Sequence, residues 1–200
     1  MKSPYNFIVS PKGGRYNNEV KVDDKSLIIN SEIFNHQYVN RNAIVKSCPI
    51  HNNLNLQDGD EVLVHHNLFR RWHNVKGIEK NSRAYFKDNL YFASEDQIFL
   101  KKSKTSWKSM PGFCFVQPLV NDNDLENKLE HDTKGVIVYT DGTFNKGEVV
   151  GFTPFSKYEF IVEGKRLFRV HNKFITIKYE YQGNEKAYNP GWAQSSWRTN

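Results

Sequence analysis

Two hundred residues can make one large domain or two small ones. Hydrophobic residues are 38% of the chain and aromatic residues 14%, enough to fill a core and a mix that favours β-structure over a helical bundle. The formal charge of +6 suits a soluble surface or a polyanionic partner, and no apolar run is long enough to span a membrane as a helix.

The strand signals are short and punctuated by turn residues. Asn6-Phe7-Ile8-Val9 stops at Pro11 and Gly13-Gly14. Glu19-Val20-Lys21-Val22 alternates with period two and turns at Asp23-Asp24 into Ser26-Leu27-Ile28-Ile29. Ala43-Ile44-Val45 is an apolar run closed by Pro49, and the Asp58-Gly59 turn leads into Glu61-Val62-Leu63-Val64. Tyr85-Phe86 and Leu90-Tyr91-Phe92 flank Lys87-Asp88-Asn89 as a hairpin, and Gln97-Ile98-Phe99-Leu100 follows. Residues 102–112 are basic and polar and end in Pro111-Gly112, the composition of a linker.

The second half repeats the first. Phe115-Val116-Gln117-Pro118 matches Ile8-Val9-Ser10-Pro11, and Lys146-Gly147-Glu148-Val149-Val150 matches Arg41-Asn42-Ala43-Ile44-Val45. Leu167-Phe168 followed by Phe174-Ile175-Thr176-Ile177 lies over Leu90-Tyr91 followed by Gln97-Ile98-Phe99-Leu100. Such self-similarity points to two copies of one supersecondary unit. The expected organisation is all-β: a unit over 1–101, a linker over 102–112, a shorter unit over 113–183 and a polar aromatic tail over 184–200. In this alignment the second copy lacks most of 52–83, including Asp58-Gly59-Asp60 and Arg70-Arg71-Trp72-His73. The best helical candidate, residues 123–131, carries only Leu125 and Leu129 as an apolar face and reads as a loop.

Cys48 and Cys114 sit in apolar runs, which favours buried free thiols and disfavours thiolate chemistry. Met1-Lys2-Ser3-Pro4-Tyr5 has no apolar leader character, so a cytoplasmic location is expected. His65-His66, with His73 and Cys48-x-x-His51, lacks converging ligand spacing, and neighbours on a strand point to opposite faces. No phosphate-binding glycine loop and no nucleophile–base pair stands out, so no catalytic residue, cofactor or metal is expected. Arg70-Arg71-Trp72-His73 with Lys101, Lys102, Lys104 and Lys108 has the cations and an aromatic ring of a nucleic-acid surface, and equally the composition of solvated loops.

Several of these segments together resemble the GroES-like co-chaperonins. Asp58-Gly59-Asp60-Glu61-Val62-Leu63-Val64 resembles that family's Gly-Asp strand, and Leu90–Leu100 its closing pair of strands around an acidic turn. Gly135-Val136-Ile137-Val138 resembles the apolar tripeptide ending the family's mobile loop, and Lys146-Gly147-Glu148-Val149-Val150-Gly151 the strand after it. The stretch from Tyr158 to Val170 is similar to phage-encoded members. The resemblance implies two irregular β-barrel units in tandem and a homo-oligomeric ring that caps a host chaperonin in a nucleotide-dependent way. It implies docking through Val136, Ile137 and Val138 in the second unit and Leu27, Ile28 and Ile29 in the first. A virion or assembly component built on the same units, and a nucleic-acid-binding β-barrel, are the alternatives.

Overall fold

Alternation of burial sets the strands. In Asn42–Ser47, Ala43 and Val45 point inward while Ile44 is half-buried and Lys46 is exposed, the period of a sheet with one face on a core. The computed structural model describes residues 2–17, 19–22, 25–28, 36–103, 106–121, 129–180, 183 and 185–194, with 19–22, 26, 28 and 36 described for their backbone alone. Among them the chain is all-β, interrupted only by single 3-10 turns. No helix among the described residues is long and apolar enough to cross a membrane. The chain divides into two units, Met1–Ser106 and Trp107–Asn200.

In chain order the strands are β1 (Phe7–Pro11), β2 (Glu19–Val22), β3 (Lys25–Ile28), β4 (Asn42–Ser47), β5 (Glu61–Val64), β6 (Arg71–His73), β7 (Glu79–Asn81), β8 (Tyr85–Lys87), β9 (Leu90–Ala93), β10 (Ile98–Ser103) and β11 (Ser106–Ser109). The chain continues with β12 (Phe113–Val120), β13 (Glu130–Thr140), β14 (Val149–Phe152), β15 (Tyr158–Val162), β16 (Lys165–His171) and β17 (Ile175–Tyr179). The first sheet runs β11-β10-β5-β4-β1-β9-β8 and the second β15-β16-β12-β13-β14-β17. Reversed, the second matches the first strand for strand: β17, β14, β13, β12, β16 and β15 take the places of β10, β5, β4, β1, β9 and β8. Neither sheet closes on itself among the described residues.

The correspondence extends to register. Val9 pairs with Val45 and Pro11 with Ala43, as Val116 pairs with Ile137 and Pro118 with Gly135. The ladder slips by one residue between Ile8 and Val9, and likewise between Phe115 and Val116, so Lys46 and Val138 are equivalent bulge residues. Lys101 binds Asp60 at 2.7 Å, and Lys178 binds Glu148 at 2.6 Å. These two ion pairs occupy matched places, because Lys101 stands opposite Val62 and Lys178 opposite Val150.

This register corrects the sequence alignment. Lys146-Gly147-Glu148-Val149-Val150 corresponds to Asp58-Gly59-Asp60-Glu61-Val62, and not to residues 41–45. Gly59 N–H donates to Val45 O at 2.7 Å while Val45 N–H donates to Asp60 O at 2.9 Å. Gly147, Ile137 and Glu148 repeat that exchange at 2.8 and 2.9 Å. Both glycines hold positive φ, 96° and 89°, which a side chain would strain. The second unit therefore keeps the Gly-acid turn. It lacks the hairpin β6–β7: residues 65–84 separate β5 from β8, whereas 153–157 suffice between β14 and β15.

Within the segment 102–112 expected as a linker, residues 102–103 and Ser106–Ser109 are strand. β10 runs through Ser103, β11 follows, and the boundary between the units falls at Ser106/Trp107. Trp107, Ser109 and Met110 are buried, so a half-buried strand is hidden in polar composition. The described part of the tail lies on the second unit: Leu119 bridges Ala187, Ala193 is buried, and Arg166 stands over the Trp192 ring.

Candidate functional site

The two apolar tripeptides lie in different surroundings. Among the described residues β2 and β3 pair only with each other, Val20 opposite Leu27 and Val22 opposite Lys25. Leu27 is 53% exposed on this hairpin. Ile28 is described for its backbone within β3, and Ile29 lies outside the described residues.

Val136, Ile137 and Val138 belong to β13, which is paired on both sides. Ile137 is 1% exposed and packs with Cys114, Val116, Val150, Phe152, Phe168 and Val170. Their counterparts in the first unit are Ile44, Val45 and Lys46, which are also sheet residues and not loop residues. A docking tripeptide must be free to leave its own fold, and burying Ile137 again elsewhere would first open this core. The segment that corresponds to the β2–β3 insertion is the one between β12 and β13, where 122–128 lie outside the described residues.

Gly135, the glycine that makes the tripeptide look like a loop end, has a packing reason. A Cβ there would stand 2.4 Å from the Gln117 carbonyl oxygen and 2.5 Å from Val116 Cγ1. Only glycine lets β12 and β13 approach this closely.

The environment of both thiols disfavours the thiolate. Burial pushes Cys48 up to about 11, helped by its contact with Asp58, and pushes Cys114 up to about 12. His65 and His66 do not splay to opposite faces as strand neighbours would. The strand ends at Val64, His65 caps the following 3-10 turn by accepting from Asn67 N–H at 3.1 Å, and the two rings stack at 4.4 Å.

The basic stretch 70–73 is built into the first unit's hairpin. Arg71 pairs with Glu79 at 3.3 Å and lies over the Tyr16 ring at 4.7 Å. Trp72 N–H donates to Asn81 O at 3.0 Å, which fixes the indole while leaving it 47% exposed. Arg70 and Trp72 share a cleft of about 480 Å³ with Asn67, Ser82, Arg83 and Gln97. Sequence reasoning found Arg70 and Trp72 but missed the other four. Arg83 is thirteen positions beyond Arg70, and only the β6–β7 reversal brings the two together. Lys101, counted with the basic stretch in sequence, is instead held by Asp60 at the sheet.

Compared with known proteins, the chain matches no family model, no curated protein and no solved structure.

Proposed function

We propose that the chain is a tandem co-chaperonin. In this reading each unit is an irregular GroES-like barrel, the chains assemble into a homo-oligomeric ring, and the ring caps a host chaperonin when nucleotide is bound. The observation that carries it is the duplicated six-strand order with an insertion between the first two core strands of the first unit, on which Leu27 stands exposed. An apolar side chain exposed on a small two-strand hairpin suits weak, reversible docking, since each contact offsets ordering entropy and many copies add avidity. Docking is assigned to Leu27, Ile28 and Ile29. Of the second unit's tripeptide, Ile137 lies in the core, and Val136 and Val138 are half-buried in β13.

The experiment is a pull-down from host lysate with and without ATP, using the full chain and a Leu27→Asp variant. Chaperonin is expected to bind the unmodified chain only with nucleotide. Leu27→Asp is expected to lose binding at an unchanged melting temperature. Failure to capture chaperonin, or equal capture by the variant, overturns the assignment.

A further inference from the structure

The first unit's hairpin cleft has the chemistry of a nucleoside phosphate site. Its volume of about 480 Å³ lies within the usual range for small-ligand sites. Two guanidiniums line it, Arg70 and Arg83, and no carboxylate does. Among the described residues neither has an ion-pair partner, although Arg71 next door is paired with Glu79. Arg70 Nε is buried with no hydrogen-bond partner. Such a donor is costly to leave unmet, and a phosphate in the cleft would place acceptors beside this guanidinium.

An aromatic platform adjoins these cations. Trp72 is held by its bond to Asn81 O, so its ring is oriented before any ligand arrives, and Lys80 stands opposite it in the β6–β7 ladder. Stacking on a fixed indole costs little ordering entropy. The amides add hydrogen-bonding edges. Gln97 Oε1 accepts from Ser94 N–H at 3.2 Å, which leaves its NH2 group as a donor, and Asn67 lies at the exposed rim. Ser82 is used internally, donating to Leu68 O at 2.6 Å.

We propose that this cleft binds a nucleoside phosphate, with the base on Trp72 and the phosphate between Arg70 and Arg83. The same chemistry is presented by a free nucleotide and by one residue of a single strand. The site is independent of the Leu27 hairpin and of any chaperonin partner.

The test is titration calorimetry on the full chain alone, with AMP, ATP, adenosine, inorganic phosphate and oligothymidylate as probes. AMP or ATP is expected to bind more tightly than adenosine or phosphate. Arg83→Gln changes an exposed residue and is expected to weaken binding about tenfold or more, with the fold unchanged by circular dichroism. Trp72→Ala is expected to weaken it by a similar factor, and Trp72→Phe to restore most of it. Tight, salt-sensitive binding of oligothymidylate without mononucleotide binding assigns the site to a single strand. The proposal is overturned if no probe binds at millimolar concentration. It is also overturned if Arg83→Gln and Trp72→Ala bind as the unmodified chain does.

Discussion

At Gly135 the backbone of β12 leaves no room for a side chain, because the nearest atom to a Cβ would be a carbonyl oxygen that cannot swing aside. Gly135→Ala is therefore expected to destabilise the second unit by about 1–3 kcal/mol, the usual cost of overpacking, seen as a lower thermal midpoint. Asp141 offers a pH test. Burial alone would raise its pKa, but hydrogen bonds from the backbone N–H groups of Thr143 and Gly112 and from Asn172 outweigh burial and hold it below the usual carboxylate range. A depressed carboxylate stabilises the fold above its unfolded pKa, near 3.9, and that stabilisation is lost as pH falls through the lower folded value. Acid unfolding of the second unit is expected to begin below about pH 4, and Asp141→Asn to flatten that dependence while lowering stability at neutral pH. Gly135 was legible in the sequence as a special position. Its reason was not, because it depends on Gln117, which lies across the sheet.

The two inserted hairpins behave as accessories. Among the described residues β6–β7, like β2–β3, pairs only with itself. Replacing Arg71–Asn81 with a short Gly-Ser turn is expected to keep the first sheet intact by hydrogen exchange. The expected cost is about 1–2 kcal/mol, from the lost bonds that Arg71 N–H donates to the Tyr16 hydroxyl and Arg15 donates to Asn81 Oδ1. Among the elements, β8–β9 was readable because Asp88 and Asn89 both accept positive φ, 47° and 60°. β11 was not: Ser106-Trp107-Lys108-Ser109 has one apolar residue in four, and a strand carried mainly by its backbone pairing leaves little pattern to read.

Across the whole molecule, one framework is written twice with different side chains. Ile137 and the residue in its place in the first unit, Val45, are both buried. Ile137→Ala should cost about 2–5 kcal/mol and raise hydrogen exchange in residues 113–179. Val45→Ala should do the same, more mildly, in residues 7–103. Each variant is expected to leave the other unit's exchange nearly unchanged, since each unit has its own buried core. The closing strands of the repeat could be aligned from sequence because Leu90, Ile98 and Leu100 recur as Leu167, Ile175 and Ile177 with the same spacing. The middle could not. A Gly-acid turn and a strand start look alike as letters, and the extra residues at Lys46 and Val138 break the two-residue period that would have told them apart.

The hairpin β6–β7 is present in one unit only, so counting becomes diagnostic. Whatever the cleft binds should saturate at one equivalent per chain, although each chain contributes two copies of the framework.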